Sequence, residues 1–257
     1  MDIYQHFRKE EQPVIDQFLD WKEQVERQFI PVLSDFMDPR EQHILRSLIG
    51  NNDDLNLSFH GGMNGAERQR AYLYPFYEEV TDEDFAITIL QGTYHTKFVT
   101  LTHRDLLGTL MSLGIQRKKL GDILVNDGTF QIITDEDIAL FLKMNFTKVK
   151  KSSIVLTEVS KDQMITMDDR WVEKEGTVSS ARLDVIMKHI YQLSRQDAQQ
   201  LIAKEAVKVN HRVVSDPTFT IQPSDLISVR KLGRSKMIEI LGETKKNKLR
   251  IKTAKLK

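Results

Sequence analysis

The chain has 257 residues, with 37 Lys and Arg against 37 Asp and Glu, and no cysteine. Disulfides, thiolate zinc sites and cysteine nucleophiles are therefore excluded, and the length allows two or three domains, each with its own core. The neutral total hides a division: Val178–Lys257 holds 17 Lys and Arg against 7 Asp and Glu, and the remainder 20 against 30. A basic module on an acidic body is the pattern of a nucleic-acid-binding segment attached to something else. The first residues, MDIYQHFRKEEQ, are charged and amphipathic, unlike a signal peptide, and no apolar run approaches about 18 residues. A cytoplasmic protein with no membrane partner is expected.

Residues 2–49 read as helical, with Phe18, Trp21, Val25, Phe29 and Val32-Leu33 near helical spacing. Asp38-Pro39-Arg40-Glu41 marks a helix start, with a capping Asp, proline in the first turn and Glu closing the box. Ile44, Leu45 and Leu48-Ile49 form its buried stripe, and Gly50 ends it. Leu55–His60 and Ala71–Tyr77 follow as strands, joined by GGMNGAERQR. That connector is an anion-binding loop with Arg68 and Arg70 as RNA contacts, or a glycine turn before a solvated segment. It matches neither the nucleotide nor the dinucleotide glycine loop.

Phe85–Leu90 and Lys97–Leu101 look strand-like. Thr102-His103-Arg104-Asp105 caps a helix that ends at Gly114. His103-Arg104-Asp105 resembles a kinase catalytic loop in letters only, since no other kinase element is present. Asp122–Val125 and Thr129–Ile133 flank Asn126-Asp127-Gly128, a strong hairpin signal. A helix at Ile138–Phe146 and a returning strand at Val149–Val159 complete, from Lys97, a split βαβ plait of the kind found in RNA-recognition domains. The RNP1 pattern is absent, and Phe98 and Phe130 are better explained as core than as base-stacking groups. Arg117, Lys118 and Lys119 are either a secondary phosphate contact or a solvated charge run. Lys161–Thr177 reads as a linker, or as a strand reaching toward the last domain.

From Ser179 the pattern is two short helices and a small sheet. Ser179 or Ser180 caps the first, with Leu183, Ile186, Met187 and Ile190 inward; Ser194 and Asp197 open the second. The period then becomes two, with Val207, Val209 and Val213 alternating with Lys208, Asn210 and Arg212 around a turn near Asn210-His211. Leu226–Val229 and Met237–Leu241 are strands. The basic ending from Lys245 to Arg250 is an electrostatic arm or, by the alternation of Leu249 and Ile251, a final hairpin. The cations expected to meet phosphates are Arg182, Arg195, Lys204, Lys208, Arg212, Arg230, Lys231, Arg234 and Lys236, joined by the polar Ser194 and Asn210. Arg182 with Asp184 also reads as a structural ion pair or cap, and Asn210 as a turn residue.

Arg182-Leu183-Asp184, Ser194-Arg195 with Ala198 and Leu201-Ile202, Val207–Asn210 and Asp225–Val229 together resemble the S-four RNA-binding domain. Glu205, His211 and Ser224 stand where that family usually has glycine. Over the longer chain, Gly61-Gly62 with Ala66-Glu67-Arg68, Leu101–Asp105 with Leu107-Gly108, Leu113-Gly114-Ile115, Arg117, Gly121-Asp122-Ile123 and Thr244-Lys245-Lys246 resemble the YlmH family of bacterial proteins. The resemblance implies a multidomain α+β protein with an N-terminal α+β region (1–80), an RRM-like plait (81–160), a linker (161–177) and a C-terminal S-four domain (178–257) of two helices and a small curled sheet. It implies RNA binding on the large ribosomal subunit, contact with rRNA and tRNA, and a part in ribosome-associated quality control, the C-terminal tailing of stalled nascent chains. No catalysis, cofactor, metal or small-molecule substrate is expected, and a monomer is. Two alternatives stand beside this: an RNA-modification-associated enzyme or accessory protein, for which no methyl-donor, metal or nucleophile motif is visible, and an interaction protein of cell division.

Overall fold

The computed structural model describes residues 4, 7–97, 99–165, 171–210 and 212–256. Phe98 and His211, singled out above, and residues 166–170 of the Lys161–Thr177 stretch lie outside the described residues. Chain contacts divide the protein into two compact units, Met1–Met167 and Asp168–Lys257. The stretches 1–80 and 81–160 thus share the first unit.

In the first unit, α1 (Gln12–Gln28) buries Ile15, Phe18 and Val25 and stops at Phe29, whose backbone is left-handed at φ 56°. Val32-Leu33, placed above on a helical stripe, is instead a short strand, β1. Its place is set by pairing with the central strand of a three-stranded sheet, which outweighs the helical spacing. The Asp38 box forms as expected. The Asp38 carboxylate accepts the Arg40 and Glu41 amides at 2.9 Å each, and Glu41 accepts the Asp38 amide at 2.8 Å. It starts α2 (Pro39–Ile49). β2 (Leu55–His60) and β3 (Arg70–Pro75) then complete an antiparallel sheet in the order β1-β3-β2, on which the two helices pack through Ile15, Phe18, Ile44, Leu45 and Leu73.

The plait begins one strand earlier than its sequence suggests. Thr81 donates through its amide and hydroxyl to Asp84, forming a turn that includes Phe85, and Ala86 at φ 46° redirects the chain. The first strand is β4 (Ile87–Thr93), and residues 97 and 99–101 of the expected strand are connecting chain, with Leu101 buried in the core. There follow α3 (His103–Ser112), β5 (Leu120–Asn126), β6 (Thr129–Asp135) and α4 (Glu136–Asn145). The expected final strand is divided into a small hairpin, β7 (Lys148–Val149) with β8 (Ser152–Ser153), and the true fourth strand β9 (Leu156–Glu158). Sheet order β5-β6-β4-β9, antiparallel throughout, is that of the split βαβ plait. Phe130 is fully buried against Phe146 and Tyr94, so it is core.

In the second unit, Trp171–Val178 is not connecting chain but strand β10, paired over eight residues with the last strand of the chain. Two helices, α5 (Leu183–Tyr191) and α6 (Arg195–Ala203), lie on the sheet formed with β11 (Val207–Val209), β12 (Arg212–Val213), β13 (Leu226–Val229), β14 (Gly233–Glu243) and β15 (Leu249–Leu256). The sheet order is β10-β15-β14-β13-β11-β12. The basic ending is therefore the final hairpin rather than an arm. Leu183, Ile186, Met187, Ile202, Val207, Ile227 and Met237 meet in the core. Neither Ser179 nor Ser180 caps α5. Arg182 holds that position, and the Leu183 and Asp184 amides donate to the Phe219 and Pro217 carbonyls at 2.8 and 3.2 Å. Backbone from a distant loop thus satisfies the donors a serine would have taken. Among the described residues no helix is long and apolar enough to cross a membrane.

Candidate nucleic-acid interface

The second unit is organised around one buried carboxylate. Asp184 is wholly inaccessible, and an ion in such a place must be paired and hydrogen-bonded. Arg182 donates to it through Nε and Nη2, both at 3.1 Å. From α6, Arg195 Nε donates at 3.0 Å and Gln199 Nε2 at 2.9 Å. Burial alone would raise the Asp184 pKa, but the bonds from Arg182, Gln199 and Arg195 outweigh it and hold the carboxyl below its ordinary value. Arg195 and Gln199 are four residues apart on one helix face, so a single turn of α6 clips onto α5. The two arginines differ in what they leave for a ligand. Arg182 spends both arms of its fork on Asp184 and is 35% exposed, whereas Arg195 commits Nε and keeps 56% of its side chain exposed.

Two other predicted contacts are structural. Ser194 caps α6: its hydroxyl accepts the Asp197 amide at 3.0 Å and donates to the Asp197 carboxylate at 2.7 Å. Asn210 bridges the sheet, with Nδ2 donating to Asp225 at 2.8 Å and its side-chain oxygen accepting the Leu226 amide at 2.9 Å. Its backbone is left-handed at φ 48°, which asparagine tolerates better than most residues. Two of the three positions that depart from the S-four pattern explain the family's glycine. Glu205 at φ 53° and Ser224 at φ 69° adopt the left-handed conformation with a β-carbon in place. Glu205 closes α6: its amide donates to the Ile202 carbonyl and the Ala206 amide to that of Leu201, both at 3.0 Å, a Schellman ending.

The remaining cations lie on the sheet and its turns. Lys208 pairs in register with Ser228, and Ser228 with Arg234, so both cations lie in one row on the face opposite Val207 and Val209. Two residues along β14, Lys236 has its ammonium 4.5 Å from the centre of the Trp171 ring. The turn carrying Arg230 and Lys231 is fixed beside the end of α6, because the Arg230 amide donates to the Ala206 carbonyl at 2.9 Å. Lys204 caps that same helix end, where a cation is favoured by the helix dipole. Lys204, Lys208, Arg212, Arg230 and Lys231 are all exposed. Sequence reasoning missed Gln199 and Trp171. The four-residue spacing of Arg195 and Gln199 held the signal for the first; nothing in the composition of Trp171–Thr177 held one for the second.

The secondary contacts proposed in the first unit have mostly another role. Arg68 and Arg70 are each 6% exposed. Arg68 donates to the Leu120 and Phe36 carbonyls at 3.1 and 2.6 Å, and Arg70 to those of Ser34 and Ala86 at 2.7 and 3.0 Å. Arg117 donates to the Leu120 and Gly121 carbonyls at 2.7 and 2.9 Å, and burial, with Arg68 alongside, pulls its pKa down to about 10. Arg68 and Arg70 fasten the N-terminal sheet to the plait, Arg117 closes its own turn within the plait, and all three spend donors on backbone carbonyls. Lys119 bridges Asp35 and Asp135 at 2.9 and 2.7 Å. Lys118 pairs with Asp35 at 3.0 Å but is 57% exposed, so its side chain meets solvent.

Comparison with known proteins places this geometry. Family models match residues 10–77 ("YlmH, N-terminal"), 81–163 ("Putative RNA-binding domain in YlmH") and 181–227 ("S4 domain"). The chain is 41% identical over 251 residues, 97% of both chains, to "Ribosome-associated protein quality control protein P2" of Bacillus subtilis (strain 168). Over 55 residues, 21% of this chain and 27% of the other, it is 40% identical to "Small ribosomal subunit protein uS4" of Legionella pneumophila (strain Paris). A solved structure, "Cell division protein ylmH from Streptococcus pneumoniae", superimposes with a TM-score of 0.55 at 33% identity, covering 64% of this chain and 99% of that one.

Proposed function

Because the chain belongs to the YlmH family of RNA-binding proteins, we propose that it binds the large ribosomal subunit, contacting rRNA and tRNA, and serves the tailing of stalled nascent chains. The observation that carries this reading is the second unit's set of exposed cations on a frame held rigid by the Asp184 clip and the Asn210–Asp225 bridge. Phosphate contacts from such a surface supply affinity and its salt dependence, and a rigid frame avoids an ordering cost on binding. The name of the Bacillus subtilis relative supplies the ribosomal setting. On this reading the protein is a cytoplasmic monomer that acts by binding, with no reaction of its own.

The test is sedimentation with purified large and small subunits, comparing the native chain with Lys208→Glu/Arg230→Glu/Lys231→Glu. All three positions are exposed and outside the clip, so the fold should persist. Co-sedimentation of the native chain with large subunits, lost in the triple variant, is expected; equal sedimentation of both contradicts the reading. Mass spectrometry of rRNA incubated with the protein should show no new modification. A second reading, an interaction protein of cell division, draws on the printed name of the Streptococcus pneumoniae structure. Retention of a division protein, but no ribosomal component, after nuclease treatment would favour it.

A further inference from the structure

At one end of the three-stranded sheet the first unit exposes apolar side chains that its core does not use. Phe29 is 59% exposed, Ile30 52%, Phe76 60% and Tyr77 61%. Their convergence follows from strand pairing. β1 and β3 are antiparallel with Val32 opposite Leu73, so the chain preceding Val32 and the chain following Leu73 leave the sheet at the same end. The Phe76 amide donates to the Asp54 carbonyl at 3.0 Å. Asn52 donates to Glu26, on the last turn of α1, at 3.1 Å. These bonds bring the 52–54 loop to that end as well. The Phe76 and Tyr77 rings meet edge to face at 5.4 Å. Phe29 sits there in a left-handed backbone that a bulky residue adopts only with strain, and strain of this kind gathers at binding sites.

The charges around these residues decide what could cover them. Asp53, Asp54 and Glu79 are exposed and Glu78 half-buried. The neighbouring cations of α1 are already paired, Lys22 with Glu26 at 3.9 Å and Arg27 with Glu23 at 2.6 Å. Single-stranded RNA stacks on aromatic rings where cations track its phosphates, and here the rim is acidic. A two-fold contact with a second copy would set one acidic rim against another. The complementary occupant is a protein segment with Lys or Arg beside apolar side chains. We propose that the Phe29–Ile30–Phe76–Tyr77 face docks such a basic, apolar protein segment, independently of the RNA-binding unit.

The probe is a synthetic amphipathic peptide of Leu and Lys, titrated calorimetrically into the full chain, with a Leu and Glu peptide of the same length as control. Phe29→Ser/Phe76→Ser/Tyr77→Ser should lower affinity for the Lys peptide about tenfold or more, the loss of one strong interface anchor. Asp53→Asn/Asp54→Asn/Glu78→Gln/Glu79→Gln should weaken it several-fold and flatten its salt dependence, a second readout should the serine variant melt early. Neither variant should change affinity for RNA. Undiminished binding by both variants, or equal binding of the Glu peptide, would overturn the proposal. So would self-association of the native chain abolished by the serine variant, or a fall in RNA affinity, which would assign the face to a second copy or to RNA.

Discussion

At the residue scale, a cation's chemistry is set by what its fork or ammonium already holds. Arg182 and Arg195 share Asp184, and the carboxylate is the indispensable member because it is fully buried. Asp184→Asn keeps the shape and removes the charge, so charge-assisted bonds weaken and two cations lose their partner. Stability measured in urea should fall by about 2 kcal/mol, in the range for a buried bond to a charged group. The sign of the pH dependence follows from its depressed pKa: the contribution is complete above the ordinary value of 3.8 and is withdrawn as pH falls through the lower folded value. In the Asn variant that part of the acid dependence should vanish; an unchanged acid limb would contradict the role. Glu205 and Ser224 provide the opposite case, since both tolerate a left-handed backbone that glycine adopts without strain. Glu205→Gly should stabilise the second unit by about 0.5–1 kcal/mol, read as a higher urea midpoint. It also removes a negative charge beside Lys204 and so should tighten RNA binding. A lower midpoint would sink this account of the helix ending.

At the element scale, the short strand β10 does what its acidic sequence concealed. Val172–Glu175 are exposed in succession, with no alternation to mark a buried face, and only the partner β15, some eighty residues later, makes β10 a strand. Local pattern could not separate linker from edge strand, because the deciding hydrogen bonds are long-range. The Lys97–Leu101 misplacement has the same cause. Five residues of strand-like composition are overridden when Ile87–Thr93 has two neighbours to pair with, β6 and β9. By contrast the Asp38 box, the Thr102 cap and the Asn126-Asp127-Gly128 hairpin were legible, since each is closed by groups within a few residues. β10 also carries Gly176, where any β-carbon would collide with the His189 ring from α5. His189 Nε2 is buried with no hydrogen-bond partner among the described residues, and burial, with Lys174 nearby, depresses its pKa. The unfolded chain therefore takes up the proton first, and stability of the second unit should fall as pH drops below 6.5. Replacing His189 by Leu should flatten the urea midpoint between pH 7 and pH 5, and a slope equal to that of the native chain would refute the assignment. Gly176→Ala should cost about 1–3 kcal/mol through overpacking.

At the scale of the whole molecule, a net charge of zero is the sum of a basic C-terminal segment and an acidic remainder. The division was readable from composition, and so was the cation-rich module. What sequence could not reveal was that arginines in the acidic half face inward. Arg68 and Arg70 look like loop cations, and only the fold shows them reaching carbonyls 16 to 52 residues away. The same seam fixes Gly121, where a β-carbon would press on Phe36 at 2.8 Å and on Ile133 at 2.9 Å. Arg70→Met should accordingly destabilise the first unit by about 2–4 kcal/mol, leaving Asp135 buried with one cation fewer. It should leave RNA affinity unchanged, and a weakened RNA complex with a normal melting curve would restore Arg70 as a contact. If exposed cations of the second unit grip ribosomal phosphates, as proposed, affinity depends steeply on salt. We would measure affinity for purified large subunits across a range of salt for the native chain and for Lys208→Glu/Arg230→Glu/Lys231→Glu. Native affinity should fall steeply with salt, and the slope in the variant should be shallower by about one per lost phosphate contact. Parallel slopes with equal affinities would contradict the proposal.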